Sequence, residues 1–292
     1  MENLDYKNPL VENTTGSEDP NVASTDSNLT VGQMFQQSSL PSLGRSIFAV
    51  IPTQGPTSGL FNLRKKAGTN NFELVRKNVD VFPSEAIATG LTQEVVQDIK
   101  AQYGVLANAV IGKLLRGLAN DQENTRTLAF LEAECKVEAD LDLTNSQNAE
   151  LVTFEIGQKV HELILKANVK TPRTFDSWCV LPYTSAAAFA ALNNYVGGMK
   201  KDESGLFISQ IGNTTFFMNP DATSTTAYVG LKAIDDVNKS SAVFSPYVET
   251  IAEAIHPDTG NLSYFIYNRF AIASSPLHAT GNEMLFKFDI VL

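Results

Sequence analysis

The residue types that most often perform catalysis are sparse in this chain and do not form a recognisable catalytic pattern. The pair Gly112–Lys113 resembles part of a phosphate-binding loop, but Leu114 stands where that loop requires Ser or Thr. The pair His161–Glu162 resembles the start of a zinc-protease helix, but Leu165 occupies the position of the second histidine. We therefore predict neither a nucleotide site nor a zinc site at these positions.

The other titratable residues have simple interpretations. His256 and His278 fall in predicted loops, where a surface histidine is the favoured interpretation. Two carboxylate clusters occur, at Asp235–Asp236 and at Glu132 with Glu134. Exposure at the end of a helix or strand explains them equally well as a calcium-binding or acid–base role. Three histidines and two cysteines make a dedicated transition-metal site improbable. We predict no catalytic residue, no cofactor and no metal ion.

Cys135 and Cys179 are far apart in the sequence and follow no redox or metal-binding spacing. We interpret them as buried free thiols in a reducing compartment. Trp178 lies in a predicted buried strand, so a place in the core is favoured over stacking on a ligand.

The composition indicates a globular protein with an acidic surface. The chain has 292 residues, 43% of them hydrophobic, and a formal net charge of −10. This charge argues against a surface that binds nucleic acid, but it does not argue against a container for DNA, whose inner wall should not bind its contents. Neither a signal peptide nor a membrane-spanning apolar run is evident, so we expect a soluble protein made in a cytoplasm.

One basic cluster stands out against this acidic background. A hairpin is predicted over Lys65–Pro83, and basic residues lie at its base and flanks: Arg64, Lys65, Lys66, Arg76 and Lys77. The simpler interpretation is a solvated hairpin. The alternative is that these side chains contact acidic faces of a neighbouring copy of the chain. Because a hairpin of this size is marginally stable alone, we expect it to lie on another surface.

A long helical pattern from Thr92 to Lys136 is the element around which the rest is arranged. Gly104 separates a short helix from a long one, and no proline interrupts residues 105–136. The uninterrupted part predicts a helix about 45 Å long. Asp121–Thr127 is polar on all sides, so we expect this part of the helix to face water or a neighbouring subunit.

The remaining segments alternate between strands and helices, which predicts an α+β fold. Before the long helix we predict strands at Ser46–Ile51 and Leu60–Arg64. After it we predict a helix at Leu151–Ala167 and a shorter one at Thr184–Asn193. We also predict strands at Phe175–Leu181, Leu206–Ile211, Thr214–Met218, Tyr228–Ala233, Ala242–Tyr247, Ser263–Ala273 and Glu283–Leu292.

Four stretches of the sequence, and the order in which they follow one another along the chain, resemble the major capsid proteins of tailed bacteriophages, which have the Hong Kong 97-type shell fold. The resemblance is nearest to the major head proteins of large contractile-tailed phages, and it covers about Leu40–Leu292. The most specific stretch is Ser-Ala-Val-Phe-Ser-Pro-Tyr-Val within Ser240–Glu249, followed by an aromatic-rich strand. The others are Leu40–Phe61, Thr92–Gly104 with the helix after it, and Phe216–Asp221 with Tyr228–Lys232.

The resemblance implies an α+β fold with an N-terminal arm, an extended loop, a peripheral domain and an axial domain. The peripheral domain would combine the long spine helix with an antiparallel sheet. The implied boundaries are an arm at 1–40, peripheral parts at 41–64, 86–138 and 234–292, an extended loop at 65–85 and an axial domain at 139–233.

The function implied is that of a major capsid protein that self-assembles into an icosahedral shell around phage DNA. Its partners would be copies of itself in hexamers and pentamers, with portal, scaffold or decoration proteins as further candidates. It would enclose double-stranded DNA without reading its sequence and would not bind a membrane. Its location would be the virion, and the host cytoplasm during assembly. Alternatives are a five-fold vertex subunit, a nanocompartment shell of the same fold, and a soluble α+β enzyme with an unrecognised site.

Overall fold

The computed structural model describes residues 41–65, 72–83, 85–91, 97, 107–144, 148–170, 176–188, 206–232, 240–255, 262–275 and 284–291. Within these ranges the chain is an α+β protein, as predicted. The helices are α1 (Leu43–Ile47), α2 (Ala107–Glu134) and α3 (Ala149–Lys170), and residues 183–188 are also helical. The short helix predicted before Gly104 lies outside the described residues, apart from the helical position 97.

The described strands are β1 (Ala49–Val50), β2 (Thr57–Lys65), β3 (Phe72–Asp80), β4 (Glu85–Leu91), β5 (Lys136–Val137), β6 (Leu141–Asp142), β7 (Asp176–Leu181), β8 (Phe207–Ile211), β9 (Thr214–Met218), β10 (Thr226–Lys232), β11 (Ala242–Ile255), β12 (Leu262–Ser274) and β13 (Leu285–Val291).

These strands form two large sheets and one separate hairpin. The four-stranded sheet has the order β1-β11-β12-β4. The seven-stranded sheet has the order β5-β13-β10-β7-β9-β8, and β6 also pairs with β13. The separate hairpin consists of β2 and β3, which pair from Thr57 opposite Asp80 to Lys65 opposite Phe72. The hairpin therefore begins at Thr57, eight residues earlier than the predicted excursion from Lys65.

Several predicted elements are confirmed by their burial and pairing. The predicted hairpin at Gly212–Asn213 joins β8 to β9, and Gly212 has the positive φ of 61° that such a turn favours. In β13 the alternation predicted from the sequence is present, because Phe286, Phe288 and Ile290 are buried while Asp289 is exposed. Although β13 is the last strand in the sequence, it belongs to the seven-stranded sheet and not to the sheet of β11 and β12.

Both faces of the seven-stranded sheet are covered. On one face α3 packs its predicted apolar side, which consists of Ile156, Val160, Leu163, Ile164 and Ala167. On the other face Trp178, Tyr228 and Leu285 pack in one cluster with residues of α1, α2 and the four-stranded sheet. Phe48 of this cluster makes an edge-to-face contact with Trp178 at 5.8 Å between ring centres. The two large sheets therefore share a single core.

The helix α2 has 28 residues, which corresponds to a length of about 42 Å. One row of residues, spaced four apart, is buried from Ile111 to the last turn of the helix and continues to Cys135 just beyond its end. Its described members are Ile111, Leu115, Ala119, Glu123, Thr127, Leu131 and Cys135. The row passes through the polar segment, and Leu118 of the predicted apolar stripe is instead 40% exposed.

The prediction that Asp121–Thr127 faces water or a neighbour is wrong for three of its seven residues. Glu123, Asn124 and Thr127 are 1%, 3% and 0% exposed, whereas Asp121 and Thr125 are exposed. The buried residues have partners within the chain. The Thr127 hydroxyl donates to the Glu123 carbonyl at 2.7 Å, and the Glu123 carboxylate accepts from Arg45 and Asn268. Burial of a polar residue is tolerated where its hydrogen bonds are made.

The strand predicted at Ser46–Ile51 is mostly wrong, because Ser46 and Ile47 belong to α1 and only Ala49–Val50 is a strand. The start of α1 is capped twice. The Ser42 hydroxyl accepts from the Arg45 amide, and the Asn124 side chain accepts from the Leu43 amide at 2.7 Å. Asn124 is 81 positions away in sequence, so this cap is a tertiary contact that local sequence patterns do not reveal.

Gly230 in β10 has no room for a side chain. A Cβ atom placed there would lie 2.2 Å from the Trp178 indole and 2.7 Å from Leu285. We expect Gly230→Ala to lower the free energy of unfolding by about 2 kcal/mol, since two fully buried side chains must move. Urea denaturation measures this, with Gly157→Ala on α3, where the new methyl group meets nothing within 4 Å, as the control. Equal effects of the two substitutions would contradict the prediction.

Candidate subunit interface

The residues considered for catalysis do not come together in the described part of the chain. His161 is exposed on α3, and Glu162 forms an ion pair with Lys166 one turn along at 2.9 Å. Gly112 is buried within α2. Asp235–Asp236, His256 and His278 lie outside the described residues. Across the described ranges, no group of three or more His, Cys, Asp or Glu residues is placed to hold a metal ion.

Cys135, Cys179 and Trp178 all belong to the core, as predicted. Both thiols are free and buried, and burial raises the pKa of each well above its usual range. Trp178 is 2% exposed. A buried thiol with a raised pKa is a poor nucleophile, so these residues serve packing.

Glu132, one of the two carboxylates considered for acid–base chemistry, joins α2 to the seven-stranded sheet. Its carboxylate accepts hydrogen bonds from Lys287 of β13 and, at 3.0 Å, from the Tyr228 hydroxyl of β10. The hydrogen bond from Lys287 lowers the pKa of Glu132, against the opposing effect of burial, and the bond from Tyr228 lowers it further. The neighbouring Glu134 is exposed.

A lowered pKa in the folded state contributes stability above the pKa of the unfolded chain, and this stability is lost on acidification. We therefore expect Glu132→Gln to lower the melting temperature at pH 7. The difference from the wild type should narrow as the pH falls below about 4.3, the ordinary pKa of a glutamate. Glu134→Gln removes the same charge two residues away and serves as the control. A difference that stayed constant between neutral and acidic pH would rule out this role for Glu132.

The hairpin of β2 and β3 has one face turned to the body of the protein. Leu60 and Val79 are 7% and 1% exposed and pack against Val243, Ala271 and Ala273 of the four-stranded sheet. The Lys77 ammonium, on the same face, donates a hydrogen bond to the Ser274 hydroxyl of β12. The base of the hairpin is therefore fixed to the sheet by apolar contacts and one polar contact.

The opposite face of the hairpin is open and carries apolar side chains. Phe61 is 51% exposed and Leu74 is 65% exposed. Arg76 lies directly opposite Phe61 in the register, and its guanidinium carbon is 5.6 Å from the centre of the Phe61 ring. We call this surface, formed by Phe61, Leu74 and Arg76, the hairpin outer face. It combines the residue types that are enriched at protein interfaces with high exposure.

The structure distributes the predicted contact residues over both faces of the hairpin. Arg76 belongs to the hairpin outer face, whereas Lys77 binds Ser274 of its own chain. Arg64 and Lys65 occupy the end of β2, and their side chains lie outside what the structure describes. Lys66 lies outside the described residues. A contact between these residues and a neighbouring copy stays a prediction.

A second exposed apolar surface lies on α3, and we call it the α3 stripe. Leu151, Phe154 and Leu165 are 41%, 60% and 51% exposed, on the side of the helix opposite its buried face. The spacing of three and eleven residues places them along one line of the helix. The stripe is not among the predicted features, because the opposite side of α3 has the stronger apolar pattern. The sequence signal that could reveal the stripe is this second set of apolar residues on the side of α3 opposite its main apolar face.

The outer edge of β11 is acidic. The short strand β1 pairs with Val243 and Phe244, and beyond Pro246 β11 is paired only with β12 within the described residues. This part of β11 carries Glu249 and Glu253, and Ile255 at its end is 65% exposed. A strand edge of this kind can accept another strand or a basic side chain.

No protein-family model matches the chain, and no curated protein matches it. Solved structures, however, are similar to it in fold. The virus-like particle protein of Pyrococcus furiosus is 10% identical with a TM-score of 0.55, over 90% of this chain and 98% of that chain. The capsid protein of the cyanophage P-SCSP1u is 8% identical with a TM-score of 0.53, over 87% and 89%. The SrpI encapsulin of Synechococcus elongatus is 10% identical with a TM-score of 0.52, over 84% and 85%.

The chain has the Hong Kong 97-type capsid fold. In this example of the fold, the long helix α2 and the two sheets share one core, and the β2–β3 hairpin extends from the edge of that core. The exposed apolar surfaces lie on the hairpin and on the outer side of α3, away from the core. Within the described ranges, no helix is both long and apolar enough to span a membrane.

Proposed function

We propose that this chain is the major capsid protein of a phage head, a structural subunit that self-assembles into an icosahedral shell around DNA. The observation that carries the proposal is the hairpin outer face, where Phe61 and Leu74 are more than half exposed. Burial of such residues against another copy recovers the hydrophobic free energy that the isolated subunit lacks. The similarity in fold to a cyanophage capsid protein supports the proposal.

Within this proposal each part of the structure has a role. The β2–β3 hairpin is the extended loop, and residues 1–40 are the N-terminal arm. The four-stranded sheet with α2 forms the peripheral domain, and the seven-stranded sheet with α3 forms the axial domain. Under this assignment β2 belongs to the extended loop from Thr57 onward, and β13 belongs to the axial domain, because these are the sheets in which they pair.

The basic residues of the hairpin are proposed to contact acidic residues of a neighbouring copy. The basic set is Arg64, Lys65, Lys66, Arg76 and Lys77. On the outer edge of β11, Glu253 is a carboxylate of opposite charge, whereas Glu249 is already paired with Arg45 and Arg116 of its own chain. Lys77 would have to exchange its present hydrogen bond to Ser274 for this contact. Arg76 is exposed and would not have to break a hydrogen bond to Ser274 in order to make this contact.

The other partners follow from the role of a shell. The partner of first importance is the chain itself in hexamers and pentamers, and portal, scaffold and decoration proteins are further candidates. The net charge of −10 suits a wall that encloses double-stranded DNA without binding its sequence. The proposed location is the virion, with assembly in the host cytoplasm. In this role the chain is structural and has no catalytic activity.

Size-exclusion chromatography of the purified chain, followed by electron microscopy, tests the proposal. We expect capsomers or closed particles. A compact monomer at all concentrations and salt conditions would overturn the proposed shell function and would favour the alternative of a soluble α+β enzyme. The similarity to an encapsulin favours a protein-filled nanocompartment as the second candidate, and a five-fold vertex subunit is a variant of the first. Particle diameter and DNA content separate these candidates.

A further inference from the structure

One face of the four-stranded sheet is turned away from the shared core, and the β2–β3 hairpin covers only part of it. Ala271 and Ala273 of β12 lie on this face beneath the hairpin. Nearer the start of β12 the same face carries larger side chains, since burial alternates along the strand. We call this surface the β12 outer row, and it consists of Phe265, Tyr267 and Arg269. Tyr267 is 41% exposed, so the row is open to a further contact.

Arg269 is the charged member of the β12 outer row. Its guanidinium carbon lies 5.3 Å from the centre of the Tyr247 ring, which holds the side chain against the sheet. Its Nε atom is buried and has no hydrogen-bond partner among the described residues. A carboxylate is the partner that a guanidinium binds most strongly. The row therefore suits an occupant that brings apolar side chains together with a negative charge.

The start of the α3 stripe has this combination. Leu151 and Phe154 are 41% and 60% exposed. Glu150 is exposed in the first turn of α3, next to Leu151 and one turn before Phe154. The first turns of α3 therefore present a carboxylate beside two apolar side chains.

The two surfaces also match in spacing. Four residues of an α-helix rise about 6 Å, and two residues of a β-strand span about 6.6 Å. Glu150, Phe154 and Gln158 follow one another at this helical spacing, and all three are exposed. They can therefore lie opposite the three members of the β12 outer row, taken in order from Arg269 to Phe265.

The α3 stripe and the β12 outer row lie on opposite sides of the shared core. The helix α3 covers the face of the seven-stranded sheet that is turned away from this core. The β12 outer row is on the face of the four-stranded sheet that is turned away from it. One chain therefore cannot join its own two surfaces. A contact between unlike surfaces of two copies is heterologous, and its repetition closes a ring when the rotation permits.

We propose that the α3 stripe of one copy docks on the β12 outer row of a second copy. Glu150 pairs with Arg269, and Phe154 packs against Tyr267. The hairpin outer face suits this row less well, because Arg76 would meet the like charge of Arg269. This inference rests on the proposed self-assembly, and it names two surfaces through which neighbouring copies meet in a ring.

A disulfide ladder tests the docking. Gln158→Cys is combined in one chain with Ala252→Cys, because Ala252 lies opposite Phe265 in the register of β11 and β12. After mild oxidation of the assembled protein, we expect covalent oligomers of increasing size on non-reducing gels, up to the number of copies in one ring. The control combines Gln158→Cys with Ala133→Cys, an exposed position on α2, and should stay monomeric. The native cysteines are buried and should not compete.

The outcomes separate this interface from the proposed shell function. Monomers on the gel, from samples in which electron microscopy shows particles, would overturn the interface and leave the shell function standing. A product that stops at the dimer would mean that like surfaces meet, which would also overturn it. A ladder from protein that forms no closed particle would support the interface, while the shell function would fail.

Charge reversal gives a second, independent measurement. Glu150→Arg should raise the concentration needed for half-maximal assembly by at least about tenfold, since Arg269 then meets a like charge. Adding Arg269→Glu should bring this concentration back to within about threefold of the wild type, because the pair is restored in reverse. Glu134→Arg on α2 makes the same change in charge away from the contact and should have no effect. Equal effects of the two single variants would contradict the pair, as would a folded double variant that is not rescued.

Discussion

Arg45→Met is expected to lower the free energy of unfolding by about 3 kcal/mol, because it leaves a buried carboxylate without its cation. Arg45 forms two hydrogen bonds with Glu123, at 2.9 Å and 2.7 Å, and Glu123 is 1% exposed. Methionine keeps much of the side-chain volume, so the effect reports charge and hydrogen bonding. The Arg45 side chain is 35% exposed, which keeps the expected loss at the lower end of the range for a buried pair.

The corresponding fall in melting temperature is roughly 6–12 °C for a chain of this size. Differential scanning calorimetry measures it. Arg116→Met is the matched control, because Arg116 is 65% exposed and lies 3.7 Å from the Glu249 carboxylate. An exposed pair of this kind contributes about 0–1 kcal/mol. If the two arginine variants melted at the same temperature, the Glu123 network would not be the anchor of α1.

Leu74→Asp is expected to abolish assembly while leaving the isolated subunit as stable as the wild type. Leu74 is 65% exposed in the subunit, so an aspartate there meets water and costs the fold little. In an assembled particle, by contrast, the same carboxylate would be buried against a neighbour without a partner, at a cost of several kcal/mol per subunit. Particle yield by sedimentation and the melting temperature of the dissociated subunit measure the two effects.

Asn78→Asp is the control for this prediction. Asn78 is exposed, lies in the same strand and faces the same way as Leu74, but it is nearer the base of the hairpin and is already polar. It adds the same charge to the hairpin, so a general electrostatic effect would appear in both variants. Normal particles from Leu74→Asp would remove the hairpin outer face from the proposed interface.

The order and type of most described elements were predictable from the sequence, because they depend on local patterns. The apolar side of α3 repeats at helical spacing, and β13 alternates between buried and exposed residues. The turn at Gly212–Asn213 has the residues that a tight hairpin requires. The resemblance to phage capsid proteins rested on the order of four such stretches, and the similarity to solved shell structures agrees with it in fold.

The errors lie where distant residues determine local structure. The sequence Ser46–Ile51 has strand propensity, but Ser46 and Ile47 belong to the helix α1, whose start Asn124 caps. The polar run Asp121–Thr127 suggested a solvated surface, yet Glu123 is buried because Arg45 and Asn268 bind it. Polarity in a sequence does not distinguish a residue that faces water from one that is satisfied inside. The α3 stripe was missed because an apolar residue on a solvent-facing side violates the pattern of a monomer.

The position of β13 has a consequence for how the protein is made. This strand follows every other described strand in the sequence, yet it pairs with β10 on one side and with β5 and β6 on the other. During translation, the edges of β10, β5 and β6 that pair with β13 stay unpaired until β13 has left the ribosome. Pairings over such sequence separations form slowly. A product truncated before β13 therefore lacks an inner strand of the seven-stranded sheet.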